Sequence, residues 1–291
     1  MFRPSRLLLP TVVFGVLLAL RLLLKWKYRH APSSGVLRRH AEYGIPWQKC
    51  EVKSVDGVRL RGIWLNRGHR NAILINHSTL RSKNQFFIVL LAEWLSKKYD
   101  VFAFDARGHY ESEGAWGDMD LLVQDIKCTA DFARTQGYEK IGMIGRSSGA
   151  WLALIAVARF HRIDSLIAIA PPIDELTPSS MKFCTGLVLS PMLTWVLLLF
   201  RFLTGIRIQR FSPPQNVRHV LKHTDPTPTL FIYNTRDTLL GTNLVKIGDF
   251  FNQASGSSQL LLLESSGHLM ALENLREGFE AIEAWFDRTM V

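Results

Sequence analysis

Gly145-Arg146-Ser147-Ser148-Gly149 carries the G-x-S-x-G spacing in which a serine hydroxyl serves as a nucleophile. The apolar run KIGMI precedes it and a helical pattern, Ala150 to Arg159, follows, which is the strand–turn–helix setting such a serine requires. A tight turn there strains the backbone and leaves little room beside the serine for anything larger than glycine. It also lifts the hydroxyl to a helix N-terminus, where the dipole favours developing negative charge. A hydroxyl needs a base, and the base needs an acid to orient it. In this setting acid and base follow the serine in that chain order. Asp237 follows the apolar run LFIYN, and His268 follows QLLLLE within Ser265-Ser266-Gly267-His268. Both stand where short loops would bring them to Ser147. Among other acids, Asp225 precedes its strand, Asp249 falls within a helix, and Glu264 is too near His268 to reach its far ring nitrogen. Asp174 stays open as the reserve. A developing oxyanion needs backbone donors: one is expected from the Ser148 amide, the other from the loop His77-Ser78-Thr79, either Thr79 or Ser78.

Positioning these groups takes a sheet with its strand ends at one edge. Cys50–Val55 and Val58–Asn66 flank Asp56-Gly57, a hairpin signal. Short apolar runs at Ala72–Asn76, Val101–Asp105, Lys140–Ile144, Ser165–Ala170, Thr229–Asn234 and Gln259–Glu264 alternate with helical patterns at Asn84–Lys98, Leu121–Thr135, Ser147–Arg159 and Ala271–Phe286. An opening hairpin followed by strand–helix units predicts an α/β fold with a mostly parallel sheet and helices on both faces. Right-handed crossovers bring the strands' carboxyl ends to one edge, where such sheets bind ligands. Residues 171–228 break the alternation and read as a cap or lid inserted above that edge.

A chain of 291 residues with 47% hydrophobic and 21% charged residues is that of a folded protein. Leu7 to Leu24, LLLPTVVFGVLLALRLLL, is about long enough to cross a bilayer. It runs into Lys25 and Lys27 with no A-x-A-like cleavage site, so an uncleaved N-terminal transmembrane helix over residues 1–30 is expected rather than a signal peptide. More positive charge follows the segment than precedes it, which places the 45–291 domain on the cytoplasmic side. The net charge of +10 concentrates near this segment and at Arg201, Arg207 and Arg210. With no zinc-finger spacing or aromatic RNA-binding motif, a membrane surface is the expected partner and nucleic acid is not. The greasy stretch around Trp195–Phe200 suits either a buried cap helix or a lid that meets lipid. Cys50, Cys128 and Cys184 form neither a disulfide framework nor a metal cluster. No Walker motif, dinucleotide fingerprint or H-E-x-x-H is present, so no cofactor or metal is expected.

These residues resemble the α/β-hydrolase superfamily from about residue 50 to the C-terminus, cap excepted. Phe104-Asp105-Ala106-Arg107-Gly108-His109-Tyr110-Glu111-Ser112-Glu113-Gly114 is similar to that family's D-x-R-G-H-G-x-S-x-G loop. The resemblance gives Asp105, Arg107 and His109 buttressing roles. The chain departs from it at Ser78 and at Tyr110, where the family has glycine. It implies an esterase-, lipase- or depalmitoylase-like serine hydrolase cleaving ester or thioester bonds of lipophilic acyl substrates through an acyl-enzyme. An aminopeptidase or amidase, an acyltransferase, or a catalytically silent membrane scaffold remain as alternatives.

Overall fold

The computed structural model describes residues 15–20, 22, 47–79, 81–172, 198–199, 201–202, 206–207, 227–237, 244–252, 254, 256–266 and 275–291. Eight strands form one sheet: β1 (Trp47–Lys53), β2 (Arg59–Leu65), β3 (Ala72–Asn76), β4 (Asp100–Phe104), β5 (Ile141–Arg146), β6 (Ser165–Ile169), β7 (Thr229–Arg236) and β8 (Gln259–Ser266). Five helices, α1 (Phe86–Leu95), α2 (Met119–Thr135), α3 (Ser148–Phe160), α4 (Leu244–Phe251) and α5 (Leu275–Thr289), alternate with them. The order across the sheet is β1-β2-β4-β3-β5-β6-β7-β8. β2 runs antiparallel to both β1 and β4, and every pairing from β4 to β8 is parallel. The sheet is thus mixed, with β2 as its one antiparallel member.

Local sequence accounts for these elements. β4, β5 and β6 are buried along their whole length, as strands covered on both faces must be. The Asp56-Gly57 turn forms as expected, with the Gly57 amide donating to Ser54 O and Gly57 at φ 84°. α2 opens on Asp118, whose side chain accepts from the Leu121 amide and ties down an otherwise orphaned donor. Alternation along β5 sends successive residues to opposite faces. A Cβ on Gly142 would meet Phe286 of α5, whereas one on Gly145 would meet Ala150 of α3. The two helices therefore cover opposite faces; α2 packs beside α3 and α1 beside α5.

The transmembrane anchor expected over Leu7–Leu24 does not hold: among the described residues no helix is long and apolar enough to cross a membrane. The residues described there, 15–20 and 22, are helical, and a crossing takes about 20 such residues across a hydrocarbon core of about 30 Å. Hydropathy measured composition, and helix length is a separate requirement. The membrane partner and the cytoplasmic placement of a single-pass protein, both read from that anchor, lose their basis with it. The remainder of that segment lies outside the described residues, as does most of the cap at 171–228. Of the cap, Leu198 and Leu199 are exposed. Ile206 and Arg207 return to the body: Arg207 N donates to Gly108 O at 2.9 Å and Trp116 N to Arg207 O at 2.8 Å.

The loop after β4 is braced by buried charge. Arg107 holds Asp125 of α2 with two bonds of 2.7 Å and reaches Asp56 at 2.9 Å, while Ser54 Oγ donates to Asp125 at 2.5 Å. Burial works against this guanidinium, but the two carboxylates outweigh it and raise its pKa. Removing one partner of such a pair strands the other charge. Asp125→Ala is expected to cost about 3–5 kcal/mol in urea unfolding. Glu113→Ala, which breaks the exposed pair with Arg59, is expected to leave the urea midpoint nearly unchanged. Equal losses in the two variants would show that the loop is not held by its buried network.

Candidate active site

β5 ends at Arg146 and α3 begins at Ser148, so Ser147 alone makes the turn between them. Its backbone sits at φ 51°, ψ −122°, a region that side-chain-bearing residues rarely occupy. Three backbone bonds hold it there. Its amide donates to Ile169 O at 2.8 Å, and its carbonyl accepts from Ala150 N and Trp151 N at 2.9 and 3.0 Å. Ser147 is half-buried, with further interactions of its own.

The two glycines of the motif are explained by contact. A Cβ on Gly145 would lie 2.4 Å from Ala150 Cα, and one on Gly149 would lie 2.5 Å from His77 O and 2.7 Å from Asn76 O. Helix α3 therefore enters against the end of β3 with no room for a methyl group. Asn76 Nδ2 donates to Gly149 O at 3.0 Å across the same seam.

That seam brings the expected oxyanion loop to Ser148, the neighbour of Ser147. The Thr79 amide donates to Ser148 Oγ at 2.8 Å, and Thr79 Oγ1 lies 2.7 Å from the same oxygen. The Ser148 hydroxyl thus takes up the Thr79 amide proton. Ser78 is buried, and its carbonyl accepts from His77 Nδ1 at 2.8 Å. Since the Ala106 amide donates to His77 Nε2 at 2.9 Å, this ring is the neutral Nδ1–H tautomer. Burial pushes its pKa down to about 4, and that of His109, packed edge-on at 5.3 Å, to about 4 as well. Neither ring is placed to act as a base; both are built into the loop.

Asp105 and Arg107 also take the supporting positions the resemblance implied. Asp105 accepts from both the amide and the ammonium of Lys83, at 2.9 and 2.5 Å, and Glu111 takes the ammonium from the other side at 2.5 Å. Burial opposes the Lys83 charge, but the two carboxylates more than offset it and its pKa is raised. At Tyr110 the backbone keeps the left-handed turn despite the side chain, at φ 39°, at a cost of about 1–2 kcal/mol.

Asp237 is buried directly after the last residue of β7 and has interactions of its own. Beside it, burial first and then the Asp237 charge raise the pKa of Tyr233, whose hydroxyl donates to Pro171 O at 2.9 Å. β7 and β8 stay paired to their ends, Arg236 opposite Ser266, so the residues after both strands leave from one place. His268 itself lies outside the described residues, as do Asp174 and Asp225; Asp249 and Glu264 are exposed. No group of three or more acidic, histidine or cysteine residues that could hold a metal occurs among the described residues.

Two features were not read from the sequence. One is the hydroxyl pair Thr79–Ser148. The other is Arg146, 2% exposed inside the motif itself. Its polar type in an otherwise apolar strand was the signal.

The Gly149 contact gives a direct test. Gly149→Ala pushes a methyl group into two backbone carbonyls that cannot rotate away, so about 1–3 kcal/mol of stability should be lost, along with reaction of Ser147 toward a fluorophosphonate. Unchanged melting and unchanged labelling would show that the seam between α3 and β3 does not fix the nucleophile.

With this geometry in view, the likeness to known proteins is specific. A family model described as serine aminopeptidase, S33 matches residues 68–226. The human serine hydrolase BPHL is 29% identical over 133 residues, 45% of this chain and 44% of that protein, so the match spans less than half of the relative's length. Among solved structures, an esterase from Pyrococcus furiosus superposes with a TM-score of 0.70 at 21% identity, covering 87% of this chain and 94% of that one. The α/β hydrolase GrgF from Penicillium sp. sh18 gives 0.69 at 18%, covering 84% and 99%. An esterase from Thermogutta terrifontis gives 0.63 at 16%, covering 84% and 100%. These structures establish the α/β-hydrolase fold. The family match takes in the oxyanion loop, the nucleophile turn and more than half of the residues, and the chain belongs to the serine aminopeptidase, S33 family of serine hydrolases.

Proposed function

We propose that this protein cleaves carboxylic ester or thioester bonds of lipophilic acyl substrates through an acyl-enzyme, with Ser147 as nucleophile, His268 as base and Asp237 as orienting acid. The observation that carries the reading is the turn at Ser147: a non-glycine residue at positive φ, held by three backbone bonds, on top of a buried parallel strand. Strain of this kind persists only where surrounding structure enforces it, and here it lifts one hydroxyl to the start of a helix. His268 would take the Ser147 proton as the hydroxyl attacks the acyl carbon and return it to the leaving alcohol or thiol. Water would then be activated by the same ring to release the acid. The residues between β6 and β7 are assigned as the cap over this edge.

The family's description favours a second reading, an aminopeptidase or amidase using the same groups. Rates on an acyl ester and on the matching acyl amide separate the two.

Ser147 is expected to be labelled by a fluorophosphonate at one site by intact mass, and Ser147→Ala to abolish labelling. Asp237→Asn should stay folded and lose about four orders of magnitude in kcat. Labelling that persists in Ser147→Ala overturns the nucleophile, and full activity in Asp237→Asn overturns the acid.

The hydroxyl pair refines the oxyanion donors. Ser148 and Thr79 carry one O–H each, and one of these protons lies between the two oxygens. The other is left over whichever way the shared proton points, while the Thr79 amide is spent on Ser148 Oγ. The surplus hydroxyl is therefore assigned as the second donor, beside the Ser148 amide. Either single change leaves one hydroxyl, so Thr79→Val and Ser148→Ala should each stay within about tenfold of the parent kcat, and the double variant should lose about 100-fold or more. A double loss equal to the product of the single losses would return the role to the Thr79 amide.

A further inference from the structure

Arg146 is a buried cation that no carboxylate among the described residues pairs with. The alternation that puts Gly142 against α5 puts Arg146 on the same face of β5, against the first turn of α1. Its Cζ stands 3.8 Å from the Phe87 ring centroid, and Nη1 donates to Gln85 Oε1 at 3.0 Å. Nε is buried with no acceptor. Among the described residues no carboxylate pairs with this guanidinium.

The charges around it make the imbalance larger. The charged neighbour whose field acts on Arg146 is Arg81, of the same sign and exposed; burial first, and then this repulsion, push the Arg146 pKa down to about 9. Gln85, which precedes α1, makes no side-chain cap and the first turn holds no acidic residue, so the helix's positive end adds to the same region. Lys83 is already matched by Asp105 and Glu111. Arg107 is the internal comparison. It is buried to the same 2%, yet receives both oxygens of Asp125 and a further pair with Asp56. The stack on Phe87 offsets only part of the desolvation of an unpaired guanidinium.

We propose that Arg146 anchors a carboxylate-binding site directly beside the nucleophile. With Nη1 held by Gln85, the free edge of the fork is Nε and Nη2, the pair that takes a carboxylate through two parallel bonds. The ligand class is an ester substrate that carries a carboxylate, or the carboxylic acid released from it. Phe86, at the start of α1, and Arg81, in the loop before it, are both exposed and are assigned as the rim through which such a group would arrive. The substrate half of the inference rests on the hydrolase reading above; the anion site does not.

Two measurements test it separately. In the first, millimolar succinate is added to the full chain and to Ser147→Ala, and melting is followed. Succinate should raise Tm in both and leave Arg146→Met unmoved, with Arg146→Lys recovering part of the shift. In the second, kcat/KM is compared for p-nitrophenyl hemisuccinate and p-nitrophenyl butyrate, esters matched in length that differ in charge. The hemisuccinate should be preferred by about tenfold or more, and Arg146→Met should remove that preference. The ratio is the readout, so a general loss of activity does not imitate the result. No succinate shift and no charge preference in the parent protein overturn the proposal, even where Arg146→Met fails to fold. A shift that survives in Arg146→Met places the anion elsewhere and overturns it too. Failure of fluorophosphonate labelling with the succinate shift intact would remove the hydrolase reading and leave the site.

Discussion

Everything at the candidate site depends on how closely α3 approaches the end of β3. Gly149 presses its missing side chain against the carbonyls of Asn76 and His77, and Gly145 does the same against Ala150. That contact fixes three things together. It forces the strand to turn into the helix within one residue, which is what holds Ser147 at positive φ. It brings the 77–79 loop within hydrogen-bond reach of Ser148. It also places the start of α3, whose first amides lack intrahelical partners, beside Ser147. A single methyl group at Gly149 would part all three, because close-packed backbone has no rotamer with which to yield.

The loop that receives this contact has to be stiff, and its stiffness is polar. His77 uses both ring nitrogens, one on Ser78 O and one on the Ala106 amide, so the oxyanion loop is joined to the end of β4 through a neutral ring. Asp105 then ties that end to Lys83, and Arg107 ties it to α2 and to the β1–β2 turn. Each buried charge in this chain of contacts meets a partner at close range, which is the condition under which burial is tolerated. The one exception is Arg146, and it is the residue covalently joined to Ser147. Among the described residues, Lys83 and Arg107 are matched by carboxylates while Arg146, beside Ser147, is not.

Much of this was legible in the sequence because it is local. Strand runs, the Asp56-Gly57 turn, the strand–serine–helix order and the glycines flanking Ser147 are consequences of near neighbours, and β3 falls on its expected residues, Ala72–Asn76. Helix ends moved by up to three residues, as at α1, which closes at Leu95 ahead of the polar run Ser96-Lys97-Lys98. What could not be read was pairing at a distance. Nothing near Lys83 announces Asp105 as its partner, and nothing near Thr79 announces the Ser148 hydroxyl 69 positions away. The anchor misled for the opposite reason. An apolar run satisfies hydropathy whatever its backbone does, whereas a crossing also needs about 20 helical residues. Tyr110 shows a third kind of limit. The turn geometry belongs to the loop rather than to the residue, so it survives where glycine, its usual occupant, is gone.

The distribution of the family match along the chain bears on how the acid and base are supplied. It covers residues 68–226, the half that holds the oxyanion loop and the nucleophile turn, and ends before β7. Those parts must be built by backbone contact, which leaves a sequence little freedom. The proposed acid and base, Asp237 and His268, face a looser requirement: two residues that follow adjacent parallel strands. The pairing of Arg236 with Ser266 suits that proposal, since Asp237 is the next residue along β7 and His268 is the second in sequence after β8. A register shift between Asn234 and Arg236 lies immediately before Asp237. Irregularities of this kind re-aim the residue that follows them. Asp237, buried at a strand end beside Tyr233, is thus set by the strand pair, while Ser147 is set by the turn, and the edge of the sheet is what the two have in common.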